Sequence, residues 1–259
     1  MCTLVVAFRH FVGVPLLVAA NRDEFLARPS AAPAWRHDGP FAVFAGRDAT
    51  AGGTWLGINE AGLFAAITNR WPAANHDDRR SRGRLVLDAL ARPDAEAAAD
   101  AVASQSGADY NGFHLVMADR DRAELVWGDG RTLRRRRLEP GVHVVTERSL
   151  RPAGETEAVQ TPMGPVVPMP PTRELDLRAD ALLAGPAEPG VDDLRRLLRR
   201  HAADPFDGPC VHAGEFPYGT RSASVVRLGA EGDVRFHYAP GPPCVTPWTE
   251  LEAAALAVS

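Results

Sequence analysis

Met1-Cys2-Thr3-Leu4-Val5-Val6-Ala7-Phe8 and Val14-Pro15-Leu16-Leu17-Val18-Ala19-Ala20-Asn21-Arg22-Asp23-Glu24 open the chain. They are two apolar, strand-length runs separated by a turn that contains Gly13, the pattern of a β-hairpin. With the turn centred between about residues 10 and 13, antiparallel partners sum to about 22–26. Cys2 then faces positions roughly 20–24, which are Ala20, Asn21, Arg22, Asp23 and Glu24. Local hairpin geometry therefore brings four polar residues of both charge signs beside a cysteine at the start of the chain.

Methionine is normally trimmed before a residue as small as cysteine, and removal of Met1 leaves a thiol and a free α-amine on the same residue. An α-amine has a reference pKa near ~7.7–8.0 and is partly unprotonated at neutral pH, so it can take the thiol proton. An arginine beside the thiol lowers its pKa, and a carboxylate can hold the amine in place. The plainer alternative is a Cys2 that opens a buried strand, with an ordinary Arg–Asp pair at the solvated end of its neighbour.

The motifs around this hairpin resemble the NRDE-domain family, named for Asn21-Arg22-Asp23-Glu24 as they stand here. That family includes the transport and Golgi organisation protein 2 homologues. The resemblance also rests on Met1-Cys2-Thr3, on Gly46-Arg47-Asp48 through Gly52-Gly53-Thr54-Trp55-Leu56-Gly57-Ile58-Asn59, and on Tyr218-Gly219-Thr220-Arg221-Ser222. It spans nearly the whole chain. It implies an α+β, four-layer αββα sandwich of the N-terminal nucleophile hydrolase type, similar at greater distance to the choloylglycine hydrolase and penicillin V acylase group.

From that group the resemblance implies an amidohydrolase with Cys2 as nucleophile, its α-amine as base, Asp23 orienting the amine and Asn69 as an oxyanion donor. Asn69 ends the stretch Ala65-Ala66-Ile67-Thr68-Asn69, and a side-chain amide with a backbone N–H can stabilise a developing oxyanion by a few kcal/mol. Two positions depart from the pattern. The arginine that stands three residues before the aspartate in those enzymes is replaced by Ala20, and Arg22 is adjacent to Asp23 instead. Neighbours on a strand point to opposite faces, which sets Arg22 and Asp23 apart. At Val145-Thr146-Glu147 a carboxylate occupies the place of an asparagine and cannot donate to an oxyanion; Arg221 is a candidate for the missing positive charge.

Asn21, Glu24, Trp55 and Trp71 are candidate substrate contacts, the two tryptophans flanking the Asn69 strand as walls for an apolar acyl group. As core aromatics they would look the same. The competing function is a non-catalytic carrier on the same scaffold, such as a haem-trafficking or lipid/acyl-CoA-related binding protein, which the departures at Ala20 and Glu147 favour. Haem enters by resemblance only, since no Cys-Pro dipeptide occurs.

Length and composition agree with one domain spanning 1–259. Hydrophobic residues make up 45% and charged residues 24%, ordinary for a globular chain that can bury a good core. A net charge of −4 gives no bulk electrostatic case for nucleic acid or an anionic membrane. Arg134 to Arg137 lacks neighbouring aromatics and reads as a solvated strand. No segment approaches the ~18–20 apolar residues of a membrane span and no signal peptide is evident, so the expectation is a cytoplasmic protein with a small-molecule substrate or ligand.

Cys2, Cys210 and Cys244 make no disulfide framework. Cys210-Val211-His212 with distant Cys244 could in principle hold a metal, but the paired spacing of a structural zinc site is missing, so neither a metal nor a cofactor is expected.

Along the chain, the patterns predict strands near 41–45, 54–58 and 63–68, then helices over 83–91 and 94–105. Strands follow at 113–118, 123–127 and 142–146, and a Pro-rich loop at 162–171. Helices over 173–184 and 191–203 and strands at 221–228 and 233–238 complete the order.

Overall fold

A computed structural model of the chain describes residues 2–70, 76–147 and 187–253, together with 150–151, 159–161, 164–166, 179 and 182–185. Trp71 and most of the helix expected over 173–184 lie outside the described residues.

The opening hairpin forms with the predicted register. Strands β1 (Thr3–Phe11) and β2 (Val14–Phe25) pair antiparallel with partners that sum to 24, from Thr3 opposite Asn21 to Phe8 opposite Leu16. The ladder then shifts between Phe8 and Phe11, where Arg9 takes φ 45, and Gly13 at φ 75 makes the turn. The second strand outruns its apolar stretch because it is central: it carries its polar end through Phe25 by pairing with a strand from late in the chain.

Four strands follow: β3 (Ser30–Arg36), β4 (Val43–Asp48), β5 (Leu56–Asn59) and β6 (Phe64–Asn69). Helices α1 (Arg82–Leu90) and α2 (Ala95–Ala103) come next, the latter capped by the Asp94 side chain accepting from Ala97 N. Strands β7 (Phe113–Ala118), β8 (Ala123–Gly128), β9 (Leu133–Arg137) and β10 (Gly141–Thr146) succeed them. Then come the short β11 (Leu150–Arg151), β12 (Val159–Thr161) and β13 (Gly164–Val166), helix α3 (Val191–Leu198), β14 (Tyr218–Leu228), β15 (Val234–Ala239) and β16 (Thr249–Leu251).

These strands form two seven-stranded sheets, β11-β10-β1-β2-β14-β15-β16 and β3-β4-β5-β6-β7-β8-β9, and a small β12-β13 pair. Within the loop expected at 162–171, Gly164–Val166 instead form β13, with Gln160 paired to Pro165 and Thr161 to Gly164; the rest of that stretch lies outside the described residues. The strand read at Arg134 to Arg137 forms as the edge strand β9, where Arg135 Nε binds Glu124 Oε2 at 3.0 Å and Arg136 lies over Trp127.

Side-chain alternation explains how the sheets pack. Leu4, Val6, Phe8, Leu16 and Val18 from the first sheet meet Phe44, Ile58, Phe64, Val116 and Leu125 from the second in one buried cluster. The odd-numbered faces, Val5, Ala7, Leu17 and Ala19, turn the other way and pack against Leu194, Leu197 and Leu198 of α3. On the far side of the second sheet, Leu63, Ala65, Leu115 and Met117 pack against Leu85, Val86, Ala89 and Leu90 of α1 and Ala98, Ala99 and Val102 of α2. The chain is thus an α+β sandwich. Among the described residues no helix is long and apolar enough to cross a membrane.

Asn59 ties the β5–β6 turn to the end of α1. Its buried amide donates to the carbonyls of Leu90 and Arg92 at 2.9 and 2.8 Å, and its Oδ1 accepts from Ala61 N and Leu63 N. Those bonds meet carbonyls that a helix end leaves without intrahelical partners.

Candidate functional site

Thr3 pairs with Asn21 on one side and with Thr146 of β10 on the other. Cys2, one step earlier, therefore stands between the ends of two strands, next to Arg22 and Glu147. The even-numbered residues of β1 and β2 face the space between the sheets, which puts Cys2 and Arg22 on the same face. The Cys2 thiol donates to the Asp23 carbonyl oxygen at 3.7 Å. In the chain that carries Met1, burial pushes this thiol up to about 11, with the Asp23 charge adding to the rise and the amino terminus and Arg22 opposing it.

Arg22 is 6% exposed, and its guanidinium lies 4.4 Å from the centre of the Trp55 ring on the opposite sheet. Its Nη2 is 3.8 Å from Glu24 Oε2. Trp55 reaches this position because Gly46 leaves room: a Cβ there would stand 2.5 Å from the Trp55 Cη2 atom. The loop that carries Trp55 is held close to α1 in the same way, since a Cβ on Gly53 would meet the Gly83 backbone at 2.5 Å, and Thr54 N donates to Gly83 O at 3.1 Å. The expected motif Gly46 to Trp55 is therefore the mounting of one aromatic wall.

Asp23 turns to the other face of β2. Its Oδ1 accepts from the Thr220 hydroxyl at 2.6 Å, and Thr220 Oγ1 accepts in turn from Val211 N at 2.8 Å. Burial raises the Asp23 carboxyl from 3.8 to about 6; the charge of the amino terminus and the Thr220 bond pull it back, and Glu147 adds to the rise. The Tyr218 hydroxyl donates to the Asp23 carbonyl oxygen at 3.1 Å, and burial holds this phenol protonated well above the usual tyrosine range. Asp23 O thus receives both the thiol and the phenol.

Asn69 ends β6 opposite Phe113 and lines the same cleft as Cys2, Arg22 and Asp23. Glu24 sits at its rim, with Oε1 accepting from Phe25 N at 2.9 Å. Asn21 is 2% exposed and spends its amide on two backbone carbonyls, Leu198 O at 2.9 Å and Pro209 O at 2.6 Å, joining β2 to the segment after α3. Arg221 stands at the bulge where β14 slips against β2 between Thr220 and Ser222, and it is not among the residues lining the cleft. That bulge explains its departure: the extra residue leaves the ladder's alternation.

The cleft has a volume of about 500 Å³ and opens to solvent. Beyond the expected residues it is lined by Glu147, Tyr218 and a wall of arginines, Arg70, Arg79, Arg80 and Arg82. Arg82 is anchored by donation to Gly112 O at 3.0 Å, and burial lowers its pKa. A narrower apolar pocket runs from Cys2 between the sheets along Leu4, Ala20, Trp55, Leu56, Ala66 and Ile67. A thiol at the mouth of an apolar pocket, with a carboxylate, a phenol, an amide and guanidinium groups around it, has the parts for acyl transfer. Tyr218 and Thr220 lie in the Tyr218 to Ser222 motif, but their partners depend on long-range pairing; the arginine wall joins Arg70, just after β6, to Arg79, Arg80 and Arg82 at the entry to α1. Among the described residues, His201, Cys210, His212 and Cys244 gather as metal-ligating types, and they lie outside this cleft.

In its fold the chain is similar to enzymes of the N-terminal nucleophile hydrolase type. The conjugated bile acid hydrolase from Clostridium perfringens, solved as its C2A mutant, superposes with a TM-score of 0.56 at 11% identity, covering 97% of each chain. The Caenorhabditis elegans ortholog of N-acylethanolamine-hydrolyzing acid amidase gives 0.52 at 12% identity over 86% of this chain and 92% of that one. The family model for Transport and Golgi organisation 2 matches residues 1–238, and the chain belongs to that family. The Mus musculus Transport and Golgi organization 2 homolog is 30% identical over 242 residues, covering 85% of this chain and 84% of its own.

Proposed function

We propose that the chain is an N-terminal cysteine amidohydrolase on a four-layer αββα scaffold, acting on a small linear amide or thioester. Met1 is removed, the Cys2 thiol passes its proton to its own α-amine, and the thiolate attacks the acyl carbon. The leaving amine departs with a proton, and water hydrolyses the resulting thioester to free acid and Cys2. Asp23 positions the amine, Arg22 favours the thiolate, Asn69 donates to the oxyanion, and Trp55 walls the acyl pocket.

The observation that carries this reading is the convergence of Cys2, Arg22, Asp23 and Asn69 on one cleft that continues as an apolar pocket. The raised thiol pKa belongs to the chain with Met1 in place; a free amine on Cys2 itself supplies the base that this form lacks. The fold similarity to a conjugated bile acid hydrolase and to an N-acylethanolamine-hydrolyzing acid amidase supports the scaffold of this reading.

A second reading is a non-catalytic carrier with the pocket kept and turnover lost. It is favoured by Glu147, a carboxylate lining the cleft near Cys2, and by a thiol held near 11. Intact mass before and after an electrophilic acyl probe separates the two. The enzyme is expected to have lost Met1 and to gain one adduct on Cys2, absent in Cys2→Ala. Retained Met1, or a processed Cys2 that stays unmodified, overturns the hydrolase and leaves the carrier, whose ligand affinity Cys2→Ala should not change.

A further inference from the structure

Cys210, His212, His201 and Cys244 are spread over 44 residues of sequence, and the fold gathers them. One ligand atom from each lies within 4.8 Å of every other. Cys210 Sγ is 3.6 Å from Cys244 Sγ and 3.6 Å from His212 Nε2, and His212 Nε2 is 3.1 Å from Cys244 Sγ. Tetrahedral zinc with Zn–S near ~2.3 Å and Zn–N near ~2.05 Å has ligand separations of about 3.8 Å for S···S and about 3.6 Å for S···N. The three separations fall within about half an ångström of those edges.

We propose that His201, Cys210, His212 and Cys244 bind one Zn²⁺ as a closed Cys₂His₂ structural site. The ligand set is the one such sites use; the paired sequence spacing is absent, and the four residues are brought together by the fold instead. His201 carries the outer support expected of a ligating imidazole: its Nδ1 stands 3.1 Å from the Cys210 carbonyl oxygen, so the ring can donate there and coordinate through its other nitrogen. The loops are shaped to hold the geometry. A Cβ on Gly208 would meet Ala202 N at 2.7 Å, and a Cβ on Gly241 would meet Thr246 Oγ1 at 2.5 Å, so both loops are packed closely on themselves. Cys210 N donates to Arg200 O at 3.0 Å, and Thr246 N to Pro242 O at 3.0 Å. The two histidines are exposed and Cys210 is buried, which leaves the ion a path in from solvent.

The ion would pin three segments to one another: the stretch after α3, the approach to β14 and the β15–β16 loop. Pro209 and Val211, which flank Cys210, are the residues that hold Asn21 and Thr220, and Thr220 holds Asp23. The site is therefore a positioning element for the base of β2 and stands independently of the chemistry proposed at Cys2.

The competing use of two thiols at 3.6 Å is a Cys210–Cys244 disulfide, which needs only a small approach but leaves the two histidines without a role. Metal analysis of the full-length chain purified under reducing conditions, followed by chelation and titration with Co²⁺ alone, decides between them. One zinc per chain is expected, and the stripped protein should take up one Co²⁺ with thiolate-to-cobalt charge transfer and intense tetrahedral visible bands. Zn²⁺ should displace the cobalt. The spectrum should be lost in Cys244→Ser, weakened at least tenfold in affinity in His212→Gln, and unchanged in Cys2→Ala. A weak octahedral spectrum, no uptake, a spectrum that survives Cys244→Ser, or a 2 Da mass deficit reversed by reductant would overturn the site. The wild-type titration keeps the test valid even where a variant fails to fold.

Discussion

Arg22 and Asp23 are adjacent in the chain and stand on opposite faces of one strand: the Arg22 guanidinium lies 4.4 Å over the Trp55 ring between the sheets, while Asp23 Oδ1 takes a 2.6 Å bond from Thr220 on the helix side. Cys2 sits at the strand end where both faces are within reach. The pair can therefore act on different parts of the same residue, the arginine on the thiol and the aspartate on the backbone amine.

The Asp23 carboxyl has a defined signature in stability. Its folded pKa is raised from 3.8 to about 6, so the native state holds the proton more tightly than the unfolded chain. The contribution is most favourable below 3.8, is lost as pH rises through about 6, and leaves a cost of at most about 3 kcal/mol above that. Asp23→Asn keeps an acceptor for Thr220 and removes the buried charge. Urea denaturation should show the variant more stable than the parent at pH 8 and no more stable at pH 4. Equal stability at both would mean that the charge is fully compensated in the fold.

The thiol offers a separate test. With Met1 present, a pKa of about 11 leaves only about one Cys2 in ten thousand ionised at about pH 7. Alkylation by iodoacetamide, followed by peptide mapping at Cys2, should be slow and should climb steadily toward pH 10 in that form. Trimming by a methionine aminopeptidase should accelerate labelling at pH 7.5 by tenfold or more, and Arg22→Met should slow it in both forms. A rate indifferent to Met1 would count against the amine as base.

Asn59 should be intolerant of change although it touches no part of the cleft. It makes four hydrogen bonds from a fully buried position, two to the end of α1 and two within its own turn. Asn59→Ala strands carbonyls and N–H groups together, so a loss of about 2–4 kcal/mol is expected in chemical denaturation. Asn59→Asp should cost at least as much, because it replaces a donor with a charge facing the Leu90 and Arg92 carbonyls. A change under 0.5 kcal/mol would mean that water substitutes for the amide.

What was legible in the sequence was what local periodicity and a short turn decide. Counting across Gly13 puts Cys2 opposite positions 20–24, and the observed register, with partners summing to 24, lies at the centre of that range and sets Arg22 beside Cys2. The face of each residue followed from alternation, which is why the opposed orientation of Arg22 and Asp23 could be anticipated. Positions that depend on pairings far apart in the chain were not legible. Asn21 serves Leu198 and Pro209 across more than 170 residues, and Arg221 is moved by a bulge that no residue type announces. The same limit applies to the cysteine and histidine cluster: Cys210-Val211-His212 with Cys244 is visible in the sequence but lacks the paired spacing of a zinc site, and only the fold shows that His201 joins them and that Cys244 returns after β15.

Gly46 and Trp55 give the most direct test of whether the cleft wall matters. A methyl on Gly46 would fall 2.5 Å from the edge of the indole, and Ala31 O stands 3.3 Å away on the other side, so the ring must move. Gly46→Ala should therefore cost about 1–3 kcal/mol through overpacking. It should also displace the surface on which Arg22 rests. Trp55→Phe alone should be milder in stability but should weaken any acyl ligand, because the smaller ring gives up part of the pocket wall and of the cation–π contact. In the double variant Gly46→Ala/Trp55→Phe, the shorter ring removes the clash, so denaturation midpoints should recover most of the loss while ligand affinity does not. Additive losses would show that Gly46 is needed for the backbone of β4 and not for the indole, and the wall would then have to be explained by the loop at Gly53 alone.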